Sequence, residues 1–197
     1  QGNPNLNHGA GTEIRTDSTR DWRAYIKFDL QQIPNNAAIN EAYLHLFPPV
    51  TDDITTVKAY HVFNHTWREG NGTATVCSNE ADCDGGIIHT RQPCGANFDN
   101  SQQCNLTAEY SLSTPGAGKW HIYNITNAVK TEYISNNIAS IVLRDTSGAS
   151  FQQVYYNSKE AANVSTRPYL NITYNVTLKG LISTIIGAAP FYTNVSN

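Results

Sequence analysis

Apolar and polar residues alternate along much of the chain, and turn residues separate the alternating runs. The first run covers residues 22–29, the second covers residues 42–47, and Pro34-Asn35-Asn36 lies between them. A period of two residues is typical of a half-buried β-strand, and the Pro-Asn-Asn break is a turn signal. We therefore predict two antiparallel strands joined by a turn.

Further alternating runs predict a mainly β protein. Their spacing is typical of a sandwich or barrel, and they cover residues 55–63, 119–123, 137–144, 151–157 and 168–178. A single helix is predicted over residues 126–135, with Thr126 as its N-cap and with Ala128, Val129 and Tyr133 at helical spacing. One short helix does not change the all-β fold class.

All four cysteines lie in one stretch rich in Asp, Asn and Gly, at Cys77, Cys83, Cys94 and Cys104. An even number is typical of two disulfides in an extracellular protein, and three pairings exist. The rival interpretation is a four-cysteine zinc site, but five, ten and nine residues separate the cysteines, without the Cys-x-x-Cys pairs that bind zinc tightly. We predict disulfides that hold the long irregular region 64–118 in shape.

Asn-x-Ser/Thr acceptors predict N-linked glycans on a secreted protein. Asn171 and Asn175 alternate with Leu170, Ile172 and Tyr174. A glycan on either asparagine would therefore point away from the buried face of the strand. The predicted acceptors are Asn64, Asn71, Asn105, Asn124, Asn163, Asn171, Asn175 and Asn194.

Charge and hydropathy argue against two classes of partner. A net charge of -3 with 15% charged residues provides neither a basic surface for nucleic acid nor an acidic tail for a cationic partner. The longest apolar stretch, residues 181–189, is shorter than the roughly 20 residues that span a bilayer.

The chain begins at Gln1 without Met, and we expect a mature, processed product.

Motifs of catalysis are absent from the sequence. It contains no G-x-S-x-G nucleophile elbow, no H-E-x-x-H zincin motif and no P-loop, so we expect no enzyme. The six histidines are scattered and none is assigned to a metal: His8, His45, His61, His65, His89 and His121. Structural packing is the preferred role of Trp22, Trp67 and Trp120.

Clustered carboxylates are a ligand type that Ca²⁺ prefers. They occur at Asp52-Asp53 and in the segment Asp82-Cys83-Asp84-Gly85. Neither segment resembles an EF-hand loop, and a solvated acidic turn is the preferred interpretation of both. No other cofactor is expected.

A set of longer motifs carries a family resemblance. Residues 20–30 read RDWRAYIKFDL and residues 39–46 read INEAYLHL, and three later segments, 66–69, 120–126 and 156–174, add to the pattern. Together they resemble the DNRLRE-type domain of bacterial and archaeal surface proteins, a jelly roll related to carbohydrate-binding modules. The resemblance covers most of residues 3–175 and implies a jelly-roll β-sandwich, although the cysteine-bearing loop is not part of the family pattern.

The chain departs from this family at its two ends. Such domains open with a strand that is missing here, because residues 3–9 lead directly into the strand predicted over residues 12–17. The tail resembles the missing strand. We therefore predict a jelly-roll domain over residues 1–178 and a C-terminal arm over residues 179–197. The arm residues predicted to carry assembly are Leu181, Ile182, Ile185, Ile186, Pro190, Phe191 and Tyr192.

A missing strand leaves unpaired backbone groups that a donated strand can fill. If the donor belongs to another copy, the contact is head-to-tail and produces a filament unless it closes into a ring. Two alternatives stay open, namely insertion of the arm into its own domain and a surface helix or loose tail.

Three functional hypotheses follow. The first is a structural subunit of an extracellular, helical, pilus-like fibril, secreted or at the cell surface, whose partners are copies of itself. The second is a monomeric carbohydrate-binding or adhesin module that takes a polysaccharide as its partner. The third is an accessory domain of a polysaccharide lyase or hydrolase.

Overall fold

Two four-stranded sheets form the body of the protein. The computed structural model describes residues 6–50, 54–72, 75–77, 82–148, 152–176 and 193–194. Sheet I has the order β3-β9-β5-β7, and sheet II has the order β12-β11-β4-β8, with antiparallel neighbours in both. Their strands are β3 (Arg23–Asp29), β4 (Ala37–Leu46), β5 (Thr56–His61), β7 (Tyr110–Ser113), β8 (His121–Asn124), β9 (Ile138–Asp145), β11 (Tyr169–Val176) and β12 (Thr193–Asn194).

Two strand pairs accompany these sheets. Strands β2 (Glu13–Asp17) and β10 (Gln153–Asn157) pair along five residues, and β1 (Leu6–Asn7) pairs with β6 (Thr75–Val76). Short 3₁₀ turns cover Asp82–Gly85, His89–Arg91 and Val164–Thr166. The all-β sandwich predicted from the alternating pattern is confirmed.

The predicted pairing of the first two alternating runs is wrong. They form β3 and β4, but β3 pairs with β9 in sheet I and β4 pairs with β11 and β8 in sheet II. Both strands have one buried face because they approach the same core from opposite sides. Alternation shows which face of a strand is buried but not which strand pairs with it. It therefore could not distinguish a hairpin of these two strands from a connection that leads from one sheet to the other.

The core lies between the inner faces of the two sheets. Burying one such side chain contributes roughly 1.5–3 kcal/mol. The completely buried core members include Phe28 from β3, Leu44 and Leu46 from β4, Val57 and Ala59 from β5, Ile141 and Leu143 from β9, and Leu170 from β11.

A polar chain crosses this core at the end of sheet II. The hydroxyl of Tyr123 donates to that of Tyr156 at 2.7 Å, and Tyr156 donates to Nδ1 of His121 at 3.1 Å. The Nε2 of His121 donates to the carbonyl of Gly116 at 3.2 Å. All three side chains are fully buried, and each hydroxyl and ring nitrogen has a partner, so their burial leaves no polar group unsatisfied.

The outer face of sheet I has a second cluster of buried side chains. Tyr25, Tyr60 and Val142 project outward from this sheet and are covered by Trp67 and Phe98 of the cysteine-bearing region. The region therefore folds over one face of the sandwich and is not a free excursion.

A disulfide stabilises the cysteine-bearing region, and a buried arginine binds this region to sheet I. Cys94 and Cys104 form a disulfide and are both fully buried, which confirms the disulfide-bonded loop. Arg23 of β3 donates from Nη1 to the carbonyl of Gly95 at 2.7 Å and from Nη2 to that of Ala96 at 2.9 Å. Cys77 is also disulfide-bonded, whereas the side chain of Cys83 lies outside the described residues.

One α-helix, α1 (Thr126–Tyr133), leads from β8 to β9. Ala128 and Val129 are fully buried and Tyr133 packs against the core, as the helical spacing predicts. The predicted N-cap is wrong, because the helix begins at Thr126 and Ile125 occupies the cap without a side-chain bond. The hydroxyl of Thr126 instead donates to Oδ1 of Asn124 at 2.7 Å and accepts from the backbone N–H of Ala42 at 2.9 Å.

The tail touches sheet II at its last described residues. Thr193 and Asn194 pair with Leu170 and Tyr169 of β11, while the arm residues 181–192 lie outside the described residues. Donation of the arm to a neighbour therefore stays a prediction. In the described part of the chain, no helix is both long and apolar enough to cross a bilayer.

We expect the double variant Cys94→Ala with Cys104→Ala to lower the free energy of unfolding by about 3 kcal/mol, because the disulfide closes a short loop that is otherwise free in the unfolded chain. Urea unfolding measures this change. Leu106→Ala is the control, since Leu106 is 40% exposed in the same region and its removal should cost less than about 0.5 kcal/mol. Equal midpoints for the double variant and the unaltered protein would contradict the structural role of the disulfide.

Candidate functional site

Four rings meet on the outer face of sheet II and form what we call the aromatic platform: His45, Phe47, Trp120 and Tyr169. His45 and Tyr169 are stacked, with ring centroids 4.4 Å apart and an interplanar angle of 12°. Trp120 stands edge-on to the other three, at centroid distances of 5.1 Å to Tyr169, 5.3 Å to Phe47 and 6.2 Å to His45. All four side chains are half-buried, so part of each ring surface is exposed.

The alternation of β4 and β11 forces these rings outward. Leu44, Leu46 and Leu170 enter the core and are fully buried, so their sequence neighbours His45 and Tyr169 must lie on the opposite face. The register then brings the neighbours together, because Tyr169 is the cross-strand partner of His45. Ile122 of β8 is the partner of His45 on its other side and is 40% exposed.

A polar row borders the platform one step along the strands. Asn171, Tyr43 and Asn124 are direct cross-strand partners on β11, β4 and β8. Their residue numbers differ by two from those of the row that carries Tyr169, so both rows share the outer face. The platform therefore combines apolar ring surface with amide and hydroxyl groups at its margin.

The platform carries no formal charge at neutral pH. The hydroxyl of Tyr169 and Nδ1 of His45 share a hydrogen bond at 3.0 Å. Desolvation by the surrounding rings lowers the pKa of His45 below its usual 6.5. The surface suits an uncharged ligand face.

The three tryptophans do not share one role. Trp67 is 7% exposed and its Nε1 donates to Oγ of Ser140 at 2.8 Å, which agrees with the predicted packing role. The packing role predicted for Trp22 and Trp120 is incomplete, because both are half-exposed. Trp22 lies beneath the guanidinium groups of Arg15 and Arg20, which are 4.8 and 4.9 Å from its ring centroid. Trp120 instead contacts the aromatic rings of the platform.

The predicted glycan acceptors lie at several kinds of position. Asn71, Asn163 and Asn175 are exposed, and the side chain of Asn194 lies outside the described residues. Four acceptors accept a hydrogen bond from the backbone N–H two residues later, a local turn that Asn favours: Asn64, Asn105, Asn124 and Asn163. Their glycosylation stays a prediction.

A buried cluster around Glu132 was not predicted. His61 bonds one carboxylate oxygen through Nε2, and His65 lies 3.1 Å from the other oxygen, which also accepts from Ser135 and Asn136. The carboxylate is thus fully engaged in linking β5 to α1. No sequence signal marked it, because 71 residues separate His61 from Glu132.

Metal coordination finds no support in the described ranges. They contain no group of three or more His, Cys, Asp or Glu side chains placed to hold an ion. Asp52-Asp53 and the side chains of Asp82 and Cys83 lie outside the described residues. The Ca²⁺ interpretation of those segments is therefore untested, and the Cys94–Cys104 disulfide removes two ligands from the rival zinc site.

The comparison with known families bears on the platform. Residues 92–174 match the model of carbohydrate-binding module family 96. This carbohydrate-binding-module-like segment contains Trp120 and Tyr169, while His45 and Phe47 come from β4 and its end. No curated protein matches the chain.

Acidification should destabilise the fold through His121. Burial lowers its pKa below 6.5, so the unfolded chain binds the proton more readily, and stability is lost as the pH falls below 6.5 toward the folded-state value. We expect the free energy of unfolding, followed by urea titration between pH 7 and pH 5, to fall less steeply in His121→Gln than in the unaltered protein. The difference is at most about 1.4 kcal/mol per pH unit. Parallel pH profiles would contradict this assignment.

Proposed function

We propose that the protein is a non-catalytic carbohydrate-binding module of an extracellular protein and that the aromatic platform is its ligand surface. The main observation in support of this proposal is the group of four half-buried rings on the outer face of sheet II. Partly exposed aromatic rings grouped on one face are typical of a ligand-contact surface.

The chemistry of a sugar ring fits such a surface. A pyranose presents C–H groups on its flat face and hydroxyls around its edge. Aromatic rings cover the C–H groups through dispersion and weak C–H contacts, and polar groups beside them bond the hydroxyls. Here Trp120 and Tyr169 would carry the ring contact, and the hydroxyl of Tyr43 would meet the sugar hydroxyls.

Two further observations support the proposal. The match to a carbohydrate-binding module family covers Trp120 and Tyr169. The buried Cys94–Cys104 disulfide is typical of a protein in an oxidising, extracellular compartment. The family match favours the monomeric binding module over the fibril subunit as the main function, whereas the disulfide is typical of either extracellular role.

We expect Trp120→Ala and Tyr169→Ala each to weaken polysaccharide binding at least tenfold, because truncation of a central aromatic contact removes most of the binding energy at such sites. Affinity electrophoresis against a panel of neutral polysaccharides identifies a ligand, and calorimetry measures the dissociation constants. Tyr110→Ala is the matched control, since Tyr110 is 38% exposed on sheet I. If both platform variants bind as the control does while a ligand is found, the platform is not the site.

Self-assembly is a second candidate function, favoured by the edge of β11. This strand pairs with β4 along eight residues, and its opposite edge pairs with Asn194 and Thr193 of the tail at Tyr169 and Leu170. Strand addition at a sheet edge joins protein copies through main-chain hydrogen bonds, and the apolar arm, residues 181–192, is a donor of suitable composition. Pairing of Thr193 and Asn194 with the same edge is the competing intramolecular arrangement.

Removal of residues 179–197 should separate these arrangements. If the arm joins neighbouring copies, electron micrographs of the full chain at high concentration contain filaments, and the truncated chain forms none. Filaments in both samples, or uniform single particles of the full chain at every concentration, would contradict arm-mediated assembly. A loss of stability without any change in particle mass would identify the arm as part of its own domain.

A further inference from the structure

Two of the predicted glycan acceptors border the aromatic platform. Asn171 and Asn124 lie at the two ends of the polar row, with Tyr43 between them. Residues two apart on a strand point to the same side and are separated by about 7 Å, so Asn171 and Tyr169 are neighbours on the outer face of sheet II. A sugar attached to Asn171 therefore starts beside the rings of the platform.

The sequon of Asn171 lies within a regular strand. Asn171, Ile172 and Thr173 belong to β11, and Ile172 is 1% exposed because it enters the core. Asn171 and Thr173 are both partly exposed and share the outer face, since side chains alternate along a strand. The folded sheet therefore leaves room for a glycan at Asn171.

The other acceptor of the polar row is engaged in local structure. Oδ1 of Asn124 accepts from the backbone N–H and from the hydroxyl of Thr126, at 3.1 and 2.7 Å. The same hydroxyl accepts from the backbone N–H of Ala42 at 2.9 Å. Because the asparagine and the threonine of this sequon both stabilise the start of α1, Asn171 is the better acceptor beside the platform.

The rings of the platform suit the first sugars of such a glycan. They continue from Tyr169 to His45 and Trp120, at centroid distances of 4.4 and 5.1 Å, and aromatic rings cover the C–H faces of sugars through dispersion and weak C–H contacts. A group tethered by a short flexible linker has an effective concentration on the order of millimolar. Even a weak contact between the glycan and the rings is therefore occupied for much of the time.

We propose that Asn171 carries an N-linked glycan whose first sugars lie on the aromatic platform and compete with polysaccharide for it. The sugar donor is a lipid-linked oligosaccharide phosphate. Nδ2 of Asn171 forms a bond to C1 of the first sugar, the bond from C1 to the phosphate oxygen breaks, and the amide gives up one proton. The competition rests on the proposed function of the platform, whereas the contact of the glycan with the rings does not.

The full chain, secreted from a host that attaches N-glycans, is compared with two variants that lack this sequon. Asn171→Gln removes the acceptor, and Thr173→Ala removes the hydroxyl of the sequon but keeps the amide. Asn175→Gln is the matched control, because Asn175 is an exposed acceptor on the same strand. We expect mass spectrometry of glycopeptides to find a glycan on Asn171 in the unaltered protein and in the control. An unmodified Asn171 overturns the proposal.

Thermal unfolding measures the contact between the glycan and the rings. We expect loss of the glycan in Thr173→Ala to lower the melting temperature by about 1–5 °C, as for the loss of a weakly bound ligand. The same variants made in a host without N-glycosylation give the effect of the substitution itself, which is subtracted. The glycan effect should shrink in a Tyr169→Ala background and persist in Tyr110→Ala. An equal glycan effect in both backgrounds overturns the contact.

Polysaccharide affinity measures the competition. We expect neutral polysaccharide to bind the glycosylated protein about twofold to tenfold more weakly than it binds Thr173→Ala, as for a tethered competitor, and to bind Asn175→Gln as it binds the unaltered protein. Equal affinities overturn the competition. Weaker binding without a higher melting temperature overturns the contact, because a glycan in solvent only obstructs the ligand. Absence of polysaccharide binding in every form is a failure of the proposed function and removes the competition, whereas the melting temperatures still decide whether the glycan lies on the rings.

Discussion

The packing of two sheet faces against each other is the interaction on which the other features depend. The completely buried side chains of β3, β4, β9 and β11 interlock in one core, and this burial supplies most of the stabilising free energy. Because strand side chains alternate, every inward leucine places its neighbours outside. The position of the aromatic platform follows directly, since Leu44 and Leu170 cannot be buried without turning His45 and Tyr169 toward solvent.

The two outer faces then take different roles. Sheet I has aromatic residues on its outer face, Tyr25 and Tyr60 among them, and the disulfide-bonded region covers them with Trp67 and Phe98. Sheet II has no such cover among the described residues, and its rings stay half-open. The cysteine-bearing region thus closes one face of the sandwich.

Local rules predicted the elements well and their connections poorly. The alternating runs correspond to strands β3, β4, β5, β8, β9, β10 and β11. The helical spacing predicted the end of α1 to within two residues. The predicted hairpin of β3 with β4 is wrong because the pairing of a strand depends on which sheet faces must meet across the core. The N-cap at Thr126 failed because the hydroxyl found partners in Asn124 and Ala42, the second of which is 84 residues away.

The sequence by itself determined the all-β class, the inward and outward faces of most strands, and the disulfide-bonded character of the cysteine region, because each depends on residues close in the chain. Only the tertiary structure decided which outward residues meet. His45, Trp120 and Tyr169 come from three strands or their ends, and only the packing of the sheet brings their rings together. The platform depends on register and on long-range burial, which local periodicity does not encode.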